Sequence, residues 1–564
     1  MLNTFAQRLH QSPRLRHLFF LALTAFTIVF VGYLFGTGDH VVHLPFLNKT
    51  IDASLYPNDP YLEMRHQHYT YFWRLFIPFA QAGVLEVAVF AVHVLVTYGA
   101  FWALWALADE LFHNPLASML GTAALAFPHI GFAGWPVFEF SLLPRTFVFP
   151  FLLIALILFL RRRTVWAFAL MGVLYNLHVV SVNFALGMVM LDCVLEWRRV
   201  GLRQIALGLA AFVVCALPVL LWRGSQSHLD LSLRPEWLSI VARGTLYNLF
   251  HLIGPMPHIL LATFSGLSVL VLFVIAWREA ADLAHSRTIA IFMVAVVLIL
   301  AAQTISAEWL PVTFIVQMQI IRAGVFAIVF GNLYFAYYLA RRYQSGALAE
   351  WDFRLLAAAL VGATLEFVVL AVWAIHRWIK SVTARRGLSL AAQVGLMALT
   401  VTVAIRFDVW SPGIRIFAER TPFYEAQIWA RDNTPKDAVF IVPPERWWIY
   451  ETEWRVFSQR STTPQIADLL MVAFVPEYLD IWTPGFEQVA PGAAAQFKGD
   501  WYENWAIGAR AFYGLSDAAL LGIASDWRAS YLVVNIVQSP ARPWPVCYEN
   551  RQYRIYKIGT GVCQ

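Results

Sequence analysis

Charge is scarce in this chain. Of its 564 residues only 13% are Asp, Glu, Lys or Arg, about half the share of an ordinary soluble protein. With 59% hydrophobic residues and a mean hydropathy of +0.60, that scarcity excludes a water-soluble globule. Nucleotide-handling signatures are also missing. Without a P-loop the chain is not an ATP-driven pump of that kind, and it has no glycine-rich dinucleotide fingerprint. Neither a His-Glu-x-x-His helix nor a paired Cys-x-x-Cys occurs, which excludes the zinc sites those patterns build. Cysteine is limited to four residues. Cys193 and Cys215 sit in apolar runs and read as packing residues. Cys547 and Cys563 bracket "YENRQYRIYKIGTGV", and a disulfide between them is expected if that end lies outside the cytoplasm. No internal repeat or low-complexity tract stands out.

What is present is a series of apolar blocks of about 20 residues, long enough to cross a hydrocarbon core of about 30 Å. Candidate spans fall at about 17–36, 83–108, 115–134, 146–160, 165–177, 179–196, 203–222, 258–277, 288–305, 323–340, 354–375 and 387–406. The stretch 115–196 is broken by Pro and Gly and reads as short or re-entrant helices around a cavity, the setting in which irregular backbone is tolerated at membrane depth. The N-terminal "MLNTFAQRLHQSPRLRH" leads into a first span with a cytoplasmic N-terminus rather than a cleavable signal. Net charge is +6 and pI about 9.1. Arginine clusters at 161–163, 198–199, 278 and 341–342 lie at span ends, so they mark the cytoplasmic side rather than a nucleic-acid surface. The loops at 37–82, 135–145, 223–257 and 306–320 then face the other side. One basic stretch conflicts with strict alternation, "HRWIKSVTARRG" at 376–387. Either 354–375 is a hairpin or half-span, or an earlier segment is miscounted.

Composition shifts near Asp408, which divides the chain into a multi-span part (1–407) and a soluble α/β part (408–564). In "TPFYEAQIWARDNTPKDAVFIVPP", Thr421 caps a helix with Pro422 at its first position, and a turn leads to a short buried strand. "SDAALLGIASDWRASYLVVNIV" repeats the helix-to-strand order, and "YENRQYRIYKI" alternates as a strand does. The aromatic and charged "PPERWWIYETEWRVFSQR" fits either a carbohydrate contact or a membrane-resting face.

Ionisable residues concentrate beyond the first span, in "GTGDHVVHLPFLNKTIDASLYPNDPYLEMR". Partial burial at a membrane boundary raises a carboxylate toward the range of a competent general base, which makes Asp39 a candidate. On a helix, Asp39 and His43 share a face; with His40 they could hold a divalent ion or orient a hydroxyl, or simply meet water. Asp59 reads as a turn former, or as a second carboxylate facing the same cavity. "AGWPVFEFSLLPRTFVFP" carries Glu139 and Arg145, which either pair with each other or leave Arg145 for an anionic lipid phosphate. His178 in "LYNLHVVSVNF" and His251 in "LYNLFHLIGPMPH" are further polar groups in apolar surroundings. "WLPVTFIVQMQIIRAGVF" places Gln317 and Arg322 in an apolar run with no acid in the stretch, so Arg322 calls for a carboxylate, carbonyls or a ligand phosphate.

The layout resembles the GT-C superfamily of polytopic membrane glycosyltransferases, and short phrases such as "SLLPR" and "QMQIIRAG" are similar to those of bacterial relatives in that group. The resemblance implies a mainly α transmembrane bundle with a C-terminal extracytoplasmic α/β domain in the inner (plasma) membrane. It implies transfer of a sugar from a polyprenyl-phosphate donor to an extracytoplasmic acceptor. Asp39 in "GTGDHVVH" would then be the base, and Arg322, with Arg145, would hold the donor phosphate. Many members of the superfamily place two adjacent acids here; this chain has His40 after Asp39. The alternative is a lipid-binding protein or transporter of the same general fold that performs no transfer.

Overall fold

The computed structural model describes residues 2–133, 136–226, 231–244, 256–361, 365–376, 378–379, 381–406, 413–445, 447, 451–498, 501–559 and 563. The chain is mainly helical. Six helices among the described residues are long and apolar enough to cross a membrane: Pro13–Val31, Leu85–Phe112, Leu202–Ser225, Leu260–Glu279, Ser286–Glu308 and Ile320–Gln344. Four apolar helices are shorter: Pro144–Leu160, Thr164–Tyr175, Val179–Leu195 and Glu366–His376. The expected breaks between 115 and 196 are therefore real, and local chemistry explains them. The Asn114 side chain accepts from the Leu116 and Ala117 amides and starts a helix of only ten residues, Pro115–Ala124. Pro144 at a first helical position opens the next long segment, where its missing N–H costs nothing.

The expected single span at 354–375 is instead two short helices packed together, Glu350–Val361 and Glu366–His376. This matches the hairpin alternative. His376 pairs with Asp352 at 3.1 Å, so the second helix ends beside the start of the first.

One end of the bundle gathers the arginine clusters and their acids. Arg161 bonds Glu110, Arg199 bonds Asp192, and Arg342 pairs with Glu279. The opposite end carries the loop after the first span and the C-terminal region. Two short strands tie these together: β1 (Tyr33–Leu34) pairs in parallel with β2 (Ile414–Arg415). The expected boundary at Asp408 lies outside the described residues.

From Gly413 onward the chain folds around a five-stranded mixed sheet. Its strands are β3 (Val439–Ile441), β4 (Ser461–Thr462), β5 (Tyr531–Asn535), β6 (Val546–Glu549) and β7 (Tyr553–Lys557), in the order β4-β3-β5-β7-β6. β3 runs parallel to β4 and β5, and β7 is antiparallel to β5 and β6. Thr421 caps the helix Pro422–Asn433 as expected, accepting from the Tyr424 amide. Ser516 does the same for Asp517–Asp526. Cys547 and Cys563 form a disulfide. Apolar residues cover both faces of the sheet. A further core is shared between the first loop and the C-terminal region, built from Phe46, Trp73, Trp237, Tyr478 and Trp482 among others. Shared burial of this kind fixes the two parts against each other.

Candidate functional site

The turn that presents Asp39 is set by glycine. Gly36 and Gly38 adopt φ of +82° and +58°, a region that disfavours side chains. A Cβ on Gly36 would also lie 2.8 Å from the Phe457 ring. Asp39 then occupies the N-cap position of the helix His40–Ile51, yet its carboxylate caps nothing. It turns to Arg145, whose Nη1 donates to Asp39 Oδ2 at 2.6 Å. The same guanidinium donates from Nε to Glu139 Oε1 at 2.6 Å and from Nη2 to Glu139 Oε2 at 2.5 Å. Arg145 thus grips Glu139 with two bonds and Asp39 with one, the forked geometry that only arginine provides. The three side chains retain 15%, 16% and 9% exposure for Arg145, Asp39 and Glu139.

Arg322 joins this group. It sits in the turn Ile320–Ala323 that opens the long helix Gly324–Gln344, and it acts electrostatically on Asp39. With Glu139, Arg145, Thr146 and Ser181 it lines a cavity of about 60 Å3 whose remaining wall is apolar, formed by Phe149, Leu152, Phe184, Val325 and Phe326 among others. His178 caps the helix Val179–Leu195 by accepting from the Ser181 amide, and it lies within electrostatic reach of Asp39, Arg145, Arg322 and His68.

Asp39 departs from the expectation of a raised carboxylate. Burial pushes it up, but Arg145 and Arg322 beside it, together with the Arg145 hydrogen bond, outweigh burial and hold it below the ordinary range. His40 also departs from expectation. Gly36 N–H donates to its Nδ1, and its Nε2 bonds the Leu142 carbonyl, so the ring is a buried brace between two loops rather than a reacting group. Burial lowers it to about 4. His43 does not converge with Asp39 on an ion; its Nδ1 shares a hydrogen bond with His68 Nε2 at 3.0 Å. Among the described residues no three His, Cys, Asp or Glu side chains are placed to hold a metal.

Two other expected residues lie elsewhere. Asp59 is fully buried. It caps the helix Pro60–Glu63 through the Tyr61 amide and accepts from Arg455 Nε at 2.6 Å, so it faces a sealed ion cluster rather than the cavity. Arg455 also bonds Glu453 and Asp468, and lies over the Tyr61 ring. The aromatic stretch around it, expected to meet carbohydrate or membrane, has Trp454, Arg455 and Val456 buried instead. Gln317 donates to the Phe474 carbonyl and so fastens the 313–317 helix to the C-terminal region. His251 lies outside the described residues.

Sequence reasoning missed a second, larger cavity on the other side of His43. It measures about 550 Å3, and its lining includes His43, Lys49, His68, Trp73, Arg74 and Trp222. The nearest signal was the "HQHYTYFW" run just past the loop already singled out.

No protein-family profile matches the chain, and no curated protein matches it. Solved structures similar to it include ArnT from Cupriavidus metallidurans in the apo state and the same protein bound to undecaprenyl phosphate. Identities are 12% and 13%, TM-scores are 0.44 for both, and each alignment covers 96% of this chain and 97% of the other.

Proposed function

We propose that this chain is a membrane glycosyltransferase that moves a sugar from a polyprenyl-phosphate donor to an acceptor on the side of the membrane where Asp39 lies. The carrying observation is the ionised carboxylate of Asp39, held by Arg145 while Arg322 lies nearby in a cavity with an apolar wall. A phosphate with a long hydrocarbon tail suits that combination of cationic head and greasy wall.

In this reading Arg322 attracts the donor phosphate and stabilises it as it leaves. The bond between the anomeric carbon and the phosphate oxygen breaks, and its electron pair stays on the polyprenyl phosphate. The acceptor hydroxyl oxygen bonds the same carbon from the opposite face, through an oxocarbenium-like state with inversion. The hydroxyl proton passes to Asp39. A carboxylate below its ordinary range is a weak base, but a hydroxyl whose oxygen is bonding to carbon becomes strongly acidic, so late transfer still runs downhill. Arg145, neutralised by Glu139, fixes where that carboxylate points.

The reading places the chain in the inner membrane with the C-terminal region outside the cytoplasm. The Cys547–Cys563 disulfide supports this orientation, since such bonds persist in oxidising compartments. The arginine-rich opposite end supports it as well. Residues 1–407 then carry the chemistry, and 408–564 cover its outer end. The test is a membrane assay with a labelled polyprenyl-phosphate sugar: Asp39→Asn lowers transfer by about a thousandfold while the donor still binds. Transfer at the wild-type rate by that variant refutes the proposal. Export of the intact labelled lipid without transfer would favour the transporter reading.

A further inference from the structure

The larger cavity has a composition that the donor does not explain. At about 550 Å3 it falls within the roughly 300–1,000 Å3 of small-molecule sites. It adjoins the Asp39 turn directly: the His43 amide donates to the Asp39 carbonyl, and the Trp73 ring packs against both His40 and His43. Unlike the smaller cavity, whose aromatic residues are all phenylalanine, it is lined by tryptophan and histidine rings beside Lys49 and Arg74. Trp73 and Trp222 offer flat apolar surfaces. The linked pair of His43 and His68 offers ring nitrogens, and burial keeps both imidazoles uncharged near neutral pH.

The charges are unequal. Lys49 bonds the Leu55 and Tyr56 carbonyls and lies 3.8 Å from Glu63, so its charge has a counter-charge nearby. Arg74 has none: its side chain makes no ion pair or hydrogen bond with any described residue. Its guanidinium lies instead 4.8 Å over the Tyr71 ring and 5.4 Å over Trp222. The two rings stand at 71° to each other, so the planar guanidinium can lie flat on only one of them, and cation–π contact leaves N–H donors for a planar or tetrahedral anion. Trp222 is fixed in turn by donating to the His66 carbonyl.

We propose that this chamber seats the acceptor and that the acceptor is an anionic saccharide, its ring against the tryptophans and its acidic group on Arg74. The word acceptor rests on the transferase reading; the binding of an anionic sugar does not. The experiment uses the full chain in lipid nanodiscs without donor and measures equilibrium binding of three probes. These are a disaccharide ending in glucuronate, its 6-phosphorylated glucose counterpart and the neutral parent. The expected result is at least tenfold tighter binding of one charged probe than of the neutral one, weakening with salt. The tighter of the two identifies the acid as carboxylate or phosphate. Arg74→Gln should bring that probe to the neutral level, Arg74→Lys should retain part of the preference, and Trp222→Ala should weaken all three. Equal binding of charged and neutral probes, or an unchanged preference in Arg74→Gln, overturns the inference. Binding of a polyprenyl phosphate, measured separately and in Arg322→Gln, tells its failure apart from failure of the donor reading.

Discussion

Arg145 and Arg455 are two buried arginines that each hold carboxylates from distant parts of the chain, and they are built for opposite ends. Arg145 serves two acids at the edge of a cavity and keeps some exposure. Arg455 serves three acids, Asp59, Glu453 and Asp468, in a dry junction where its side chain is 2% exposed. A buried ion cluster is a poor source of net stability, because desolvation offsets attraction, but removing one partner leaves charge stranded. Burial and pairing are common to both clusters; what separates them, among the described residues, is that Arg145 borders a cavity and Arg455 does not.

The sharpest way to break this contrast is to remove one member from each. Asp39→Asn should lower transfer by about a thousandfold with little change in thermal unfolding, whereas Arg455→Met should destabilise the chain by about 3–5 kcal/mol and reduce the yield of folded protein. The two are separated by measuring activity per folded molecule and the melting temperature. Next in size, Arg322→Gln should raise KM for the polyprenyl donor by about ten- to a hundredfold, as loss of a charged contact predicts, with a smaller fall in kcat; steady-state kinetics at varied donor concentration check this.

A smaller effect concerns pH. Burial, only partly offset by Arg455, pushes Glu453 up to about 7, so its proton is bound more tightly in the folded chain than in the unfolded one. Its contribution to stability is full below the ordinary value of 4.5 and is lost as pH rises toward 7. Melting temperature should therefore fall between pH 5 and 8, and Glu453→Gln should flatten that slope. The least effect is expected at His40. His40→Ala should cost about 1–3 kcal/mol through its lost hydrogen bonds while leaving the pH profile of transfer unchanged, because the ring braces loops and takes no proton from substrate.

Legibility in the sequence followed the range of the forces involved. Apolar runs report burial residue by residue, so the spans from 144 to 344 fell close to their observed limits, and the cap at Thr421 could be read from a few neighbours. The single span at 354–375 failed because hydropathy does not report where an apolar run divides into two helices. Pairings across the chain left no local trace. Arg455 meets Asp59 at a separation of 396 residues, and Arg145 meets Asp39 at 106. Arg322 stood out because charge is poorly tolerated in an apolar run, and Asp39 because it follows the first span in a loop dense with ionisable groups. The direction in which Asp39 is shifted could not be anticipated, since it depends on which cations surround it.

The parallel pairing of Tyr33 and Leu34 with Ile414 and Arg415 has a consequence for biogenesis. A nascent chain that has threaded its first helix must wait until nearly four hundred further residues have left the ribosome before that edge finds its mate. Until then the strand that leads into the Asp39 turn has no partner from the C-terminal region. Completion of this edge therefore waits for synthesis of the final quarter of the polypeptide, and a chain cut short before residue 413 would lack the pairing altogether.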